Sequence, residues 1–243
     1  MTRAPIADLA PGERTLRGAV GHYLVRVLRL RASDTFVAFD PATGKEADAR
    51  VVHAAADSLT VQLGTLRDAK SGVQGTLTLV QGLAKGDKCD AIVRDATELG
   101  ATRIVVALTR RSVVRLDEER AAARQTRWAR IAEDAARQCG RARPPVVDRP
   151  IAWEGALDSV AAGAARFCLY ERATDPLGPA LFEALAGAMD LAFACGPEGG
   201  LEAAEVDAAA ARGWSVCSLG PLALRTETVA AAVLGAVRVW SGL

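Results

Sequence analysis

Two stretches near the C-terminal end combine residues that let main chain meet a ligand. The first is Gly196-Pro197-Glu198-Gly199-Gly200, and the second is Gly220-Pro221-Leu222-Ala223-Leu224-Arg225-Thr226-Glu227-Thr228. Glycine admits close approach of backbone to a bound group, and proline stiffens the loop around it. Neither stretch is G-x-G-x-x-G or G-x-x-x-x-G-K-[ST], so the phosphate-cradling devices are missing. Glu198 and Glu202 flank the first stretch and would repel a phosphate. Main-chain contacts to an uncharged or cationic ligand fit better, and a sulfonium such as S-adenosylmethionine is one such ligand. Either loop alone also reads as an ordinary strand-to-helix turn. Two of them late in one domain weigh against that.

Both loops need strands in front of them and helices behind. From residue 76 the pattern alternates. Strands are expected at Leu77–Gln81, Ile104–Thr109, Pro145–Val147, Phe167–Tyr170, Leu191–Cys195 and Ser215–Leu219. Helices are expected at Asp87–Leu99, Asp117–Cys139, Trp153–Ala162, Pro179–Ala186, Glu202–Ala211 and Thr226–Trp240, with Thr226 as N-cap of the last. Such alternation makes an α/β fold with a parallel sheet covered on both faces, whose ligands sit outside the carboxyl ends of the strands. Residues 1–72 read differently. Strands at Thr35–Asp40, Ala47–Ala54 and Leu59–Leu63, with a short helix over His22–Arg31, suggest a small β-barrel. The Lys70–Gly75 stretch marks the boundary, leaving residues 73–243 as the second domain.

Composition narrows the chemistry. The chain has 243 residues, 50% hydrophobic and 24% charged, which excludes a disordered or collagen-like protein. No run approaches the roughly 18 apolar residues of a membrane span, and no apolar signal opens the chain; a soluble cytoplasmic protein is expected. Five cysteines without a CxxC and only two histidines, His22 and His53, speak against a metal site or a histidine triad. The net charge of +1 hides a polarity: residues 103–149 hold twelve Lys+Arg against six Asp+Glu, and residues 150–243 hold five against eleven. A basic middle is what a polyanion contact needs, although a solvated helix face has the same composition.

At these residues the chain resembles the SPOUT methyltransferases, and more closely the RsmE family, the 16S rRNA (uracil-N3)-methyltransferases. The resemblance rests on Gly196 through Leu201 with Glu205, and on Leu219-Gly220-Pro221 with Leu224 through Thr228. It extends to His22 through Arg29, to Lys85 through Asp90 with Thr97-Glu98-Leu99-Gly100, and to Thr109 through Val113, Arg127-Trp128 and Ala135 through Arg141. The ordered set spans nearly the whole chain. Two positions depart from the family pattern. Glu202 replaces the usual Ser or Thr three residues before Glu205, and Ala223 replaces an Ile or Val.

The resemblance implies a PUA-like barrel followed by a SPOUT domain with a C-terminal trefoil knot, an obligate homodimer, no membrane and no metal. It implies S-adenosylmethionine as cofactor and N3 of a uridine in 16S rRNA, on the assembled small ribosomal subunit, as substrate. Cofactor contacts are then expected from Leu169, Tyr170, Gly196, Pro197, Glu198, Gly199, Leu219, Gly220, Leu222, Leu224, Arg225 and Thr226. Arg225 is the expected catalytic residue, its guanidinium binding the uracil carbonyls as they gain charge or a phosphate, unless it is a structural partner of Glu227 or Glu198. Glu98, Glu198 and Glu227 remain open as proton acceptors, as does water or no base at all. RNA contacts are expected from Arg26, Arg29, Arg110, Arg111, Arg115, Arg137 and Arg141, with His22 in a structural role. A SPOUT-like enzyme for another RNA, a non-catalytic RNA-binding module and a nucleotide-dependent oxidoreductase are the rival readings.

Overall fold

The computed structural model describes residues 2–69, 75–112, 116–187 and 190–241. Arg115, one of the expected RNA contacts, lies outside them. The chain forms two compact units, residues 1–71 with 136–144, and residues 72–135 with 145–243.

The first unit contains β1 (Arg3–Pro5), β2 (Gly12–Leu16), α1 (Gly18–His22), a π-helical turn (Tyr23–Val27), β3 (Thr35–Phe39), β4 (Lys45–Ala54), β5 (Leu59–Leu63) and β6 (Arg67–Asp68). They form one sheet in the order β1-β3-β4-β5-β2, with β6 also on β4. Leu24, Phe36, Val51, Leu59 and Val61 fill its interior. Two expectations change here. The helix placed at His22–Arg31 begins at Gly18 and ends at Val27, because Gly18 and then Arg29 adopt positive φ (64° and 54°) and bound it. β1 and β2 were not foreseen: each is short, and β1 ends on a proline, a residue confined to edge positions. Residues 136–144 join this unit through Ala142, which packs with Phe39 and Ala69, and through Arg143, which donates to the Ala42 carbonyl at 3.2 Å.

The second unit runs β7 (Leu77–Gly82), α2 (Lys88–Glu98), β8 (Arg103–Leu108), α3 (Glu118–Cys139), β9 (Val146–Val147), β10 (Ile151–Ala152), α4 (Trp153–Asp158), β11 (Ala165–Leu169), α5 (Leu177–Gly187), β12 (Leu191–Cys195), α6 (Ala203–Ala211), β13 (Ser215–Cys217) and α7 (Thr226–Trp240). All pairings in its sheet are parallel, in the order β10-β8-β7-β12-β11-β13. Alternate strand residues serve opposite faces. Leu77, Leu79, Leu191 and Phe193 meet Ile92, Trp128, Leu181 and Val233 of α2, α3, α5 and α7. Val80, Val105, Ala192 and Ala194 meet Trp153 and Val206 of α4 and α6. Burial on both sides explains why these strands read as continuous apolar runs.

Register places the site. Gln81 pairs with Cys195, Cys195 with Leu169, and Leu169 with Cys217. Four strands therefore end at one level, and their exits open on the same side of the sheet.

Candidate functional site

Those exits enclose a cleft of about 770 Å³, within the range of small-molecule sites. Every residue that the resemblance assigns to the cofactor lines it, from Leu169 and Tyr170 through Gly196–Gly199 to Leu219, Gly220, Leu222 and Leu224–Thr226. Lys88, Glu171 and Ser218 line it as well.

A buried glutamine holds the floor. The Gln81 Nε2 group donates to Thr226 Oγ1 at 2.9 Å and to the Gly82 carbonyl at 2.9 Å, and lies 3.3 Å from the Gly196 carbonyl. Its Oε1 accepts from Cys195 Sγ at 3.0 Å. Thr226 Oγ1 in turn donates to the Gly196 carbonyl at 2.7 Å. One amide thus ties the ends of β7 and β12 to the start of α7. Sequence reasoning missed Gln81; a lone amide in the apolar run Leu77-Thr78-Leu79-Val80-Gln81 was the available signal, since a fully buried amide must find partners. Thr226 was expected to be the N-cap. The N-cap is Arg225, in extended conformation (φ −67°, ψ 149°), and Thr226 is the first helical residue. Its hydroxyl is drawn away from the helix by the Gly196 carbonyl.

The glycine loop is pinned at both ends. A Cβ on Gly82 would lie 2.6 Å from Pro197 N and Cδ, so β7 and this loop touch through backbone. On the other side the Arg111 guanidinium donates to the Gly199 carbonyl at 2.8 Å. Glu198 lines the cleft and accepts from the Lys85 N–H at 3.2 Å, with Lys88 Nζ also at 3.2 Å. Burial pushes the Glu198 carboxyl up, but hydrogen bonds from its own N–H, from Lys88 and from Lys85, with the Lys88 charge, hold it below the usual range. A carboxylate so held is a poor proton acceptor. The Glu202 departure is absorbed locally: the Glu202 N–H donates to Glu205 Oε2 at 2.9 Å, and Glu205 Oε1 accepts from the Arg110 N–H at 2.8 Å. Buried Glu205 therefore fixes the β8 exit beside the glycine loop.

The second loop is shaped by Ser218, whose Oγ accepts from Gly220 N–H at 3.1 Å. Gly220 has φ +115°, a conformation that side-chain-bearing residues rarely adopt. Leu222 and Leu224 are exposed and offer apolar surface to the cleft.

Arg225 is exposed at the cleft. Among the described residues no ion pair engages its guanidinium, because Lys88 stands between the two carboxylates that were its candidate partners, 3.2 Å from Glu198 and 3.8 Å from Glu227. Glu98 sits at the far end of α2, about 15 Å along the helix from Lys88, and its carbonyl accepts from Arg238. It is not part of the cleft. Of the arginines expected to meet RNA, Arg110 and Arg111 flank the cleft on the β8 exit, each within 4 Å of Glu202. Arg26, Arg29, Arg137 and Arg141 belong to the first unit. His22 is exposed, with Nδ1 3.8 Å from Asp57. Among the described residues no cluster of His, Cys, Asp or Glu is arranged to hold a metal, and no helix is long and apolar enough to cross a membrane.

Residues 72–238 match the model of an RNA methyltransferase domain, and residues 16–64 match that of an RNA methyltransferase PUA domain. The chain is 34% identical to the ribosomal RNA small subunit methyltransferase E of Mycobacterium tuberculosis, over 91% of this chain and 84% of that one. It is 29% identical to the Bacillus subtilis protein of the same name, over 92% and 88%. Among solved structures, the ribosomal RNA small subunit methyltransferase E of Neisseria gonorrhoeae bound to S-adenosyl methionine superimposes with a TM-score of 0.85 at 27% identity, covering 99% of this chain and 98% of that one. A Legionella pneumophila structure at 24% identity shares the fold, with a TM-score of 0.82 over 99% and 98%. With the model match spanning well over half its length and these relatives aligned nearly end to end, this chain belongs to the ribosomal RNA small subunit methyltransferase E family, a SPOUT-type RNA methyltransferase domain following an N-terminal PUA domain.

Proposed function

We propose that the protein is an S-adenosylmethionine-dependent methyltransferase that modifies N3 of a uridine in 16S rRNA, on the assembled small ribosomal subunit, in the cytoplasm. The observation that carries this reading is the meeting of both glycine-proline loops around one cleft with an unpaired arginine at its edge. The family relationship supports it, as do the names of the relatives. The same reading includes the trefoil knot at the C-terminal loops and a homodimer.

The cleft fits the cofactor. Its walls are main chain at Gly196, Gly199 and Gly220, apolar side chains at Leu219, Leu222 and Leu224, and no phosphate-binding turn. These residues, with Leu169, Tyr170, Pro197, Glu198, Arg225 and Thr226, are the proposed contacts. When bound, S-adenosylmethionine supplies a methyl group activated by its sulfonium. The protein's part is mainly to align the acceptor with that methyl and to exclude water. Uracil N3 is protonated and weakly nucleophilic. As its proton leaves, negative charge grows on O2 and O4, and in this reading the Arg225 guanidinium, exposed at the cleft, stabilises it. Glu198, held ionised by Lys85 and Lys88, is unsuited to take the proton. The proton passes to solvent, with no side chain assigned as its acceptor.

The decisive test is methyl transfer to small subunits that lack the modification. Incorporation of one methyl at uridine N3, seen as a reverse-transcription stop, supports the reading; binding of S-adenosylmethionine without transfer to any uridine N3 overturns it. The RNA-binding-module reading predicts no cofactor binding by calorimetry. Phosphate contacts from Arg110, Arg111 and the arginines of the first unit make binding salt-dependent. Substituting Arg110 and Arg111 together with alanine is expected to weaken subunit binding and to reduce the slope of log affinity against log salt by about 1 to 2. Filter binding between low and moderate salt measures it.

A further inference from the structure

Glu171 follows the exit of β11 and lines the cleft, and it lies outside the stretches on which the resemblance rests. Its carboxylate stands over the glycine loop. Oε1 and Oε2 lie 3.3 and 3.6 Å from the point a Cβ on Gly200 would occupy. Gly200, at φ +70°, leaves that space free. Glu198 is committed to Lys85 and Lys88, and Glu227, whose buried Oε2 has no hydrogen-bond partner and lies 3.8 Å from Lys88 Nζ, is not among the residues lining the cleft. Among the described residues, Glu171 has no hydrogen bond or ion pair. It is the acceptor-only group of the cleft left open to a ligand.

On the reading that S-adenosylmethionine fills this cleft, we infer that Glu171 binds the ribose diol of the cofactor. A vicinal diol presents two O–H donors, and an ionised carboxylate presents two acceptor oxygens side by side. An acidic residue at the carboxyl end of a strand, beside a glycine-rich turn, is how other open α/β sheets hold a ribose. Glu198, the other carboxylate lining the cleft, is taken up by Lys85 and Lys88 and so is not free for these hydroxyls. A role at the sulfonium is disfavoured, because a carboxylate there would stabilise the charge that methyl transfer removes and so raise the barrier.

Calorimetry with wild type and with Glu171→Gln tests this. The ligands are S-adenosylmethionine, S-adenosylhomocysteine and the 2′,3′-dideoxy form of the latter. Wild type binds the first two, and E171Q is expected to bind both about tenfold or more weakly, by the same factor, because one loses the charge-assisted part of a hydrogen bond in each. The dideoxy compound is expected to bind wild type and E171Q alike. Equal affinity of wild type and E171Q for the first two ligands overturns the assignment. So does a loss confined to S-adenosylmethionine, which would place the carboxylate on the sulfonium, or a further loss with the dideoxy compound, which would place it on the ammonium. Wild type that binds neither natural ligand removes the underlying reading and this assignment with it. Glu171 is exposed, so thermal unfolding of E171Q is expected to match wild type.

Discussion

Arg225→Ala is expected to lower methyl transfer at least roughly tenfold, about 1.4 kcal/mol of barrier, while S-adenosylmethionine binding largely survives. The separation follows from where the side chain stands. The backbone of Arg225 caps α7 and shapes the cofactor loop, and alanine can adopt the same extended conformation (φ −67°, ψ 149°). The guanidinium is exposed at the cleft and takes no ion-pair partner among the described residues. Its removal therefore leaves no buried carboxylate without a partner and no cavity. What disappears, on the proposed reading, is a planar donor for the uracil carbonyls as they gain charge. Such donors act more strongly on the transition state than on the bound substrate, so kcat falls more than affinity. Single-turnover methylation beside calorimetry separates the two quantities. Unchanged turnover removes Arg225 from the reaction, and a parallel loss of cofactor affinity makes it a binding residue. Arg225→Lys is expected to recover part of the rate, since it restores the charge without the planar fork.

Gly82→Ala is expected to cost cofactor affinity on the order of hundredfold, in a protein that still folds. The added Cβ would meet Pro197 N and Cδ at 2.6 Å and Gly196 C at 2.9 Å. All three are backbone or ring atoms that cannot rotate aside, so the glycine loop must move by something near 1 Å. A 1 Å misplacement costs an aligned reaction about a hundredfold in rate, and a similar factor is expected for a cofactor held by main-chain contacts. Stability should fall too, by about 1–3 kcal/mol, the usual consequence of overpacking. The same displacement strains the Gln81 and Thr226 hydrogen bonds to Gly196. Calorimetry and chemical denaturation of one preparation report both effects. Wild-type affinity in G82A would show that the loop yields without penalty, and that its position is not what sets binding.

Much of this architecture is legible in the order of residues. The strand at Leu191–Cys195 and the helix at Thr226–Trp240 fall where their apolar runs and flanking Gly and Pro residues place them. Long buried elements carry a dense signal, since every residue must be apolar or matched. The two functional loops were legible for the converse reason: glycine and proline in a tight array are costly anywhere a ligand or a close approach does not require them. Short edge elements such as β1 and β10 carry too few residues to show a period, and their pairing is decided by strands distant in sequence.

By itself, the order of residues determined the alternating α/β domain, the loops that make its cleft and the class of ligand they exclude, because these rest on local periodicity and on the conformations open to each residue type. The tertiary structure alone decided which charges are spent and which remain available. Lys88 claims Glu198 and lies near Glu227, leaving Arg225 and Glu171 facing the cleft, and Gln81 and Gly82 prove to be the joint on which the loops hang. Hydrogen bonds and ion pairs between residues more than a hundred positions apart depend on where strands end relative to one another, and strand register is a property of the assembled sheet.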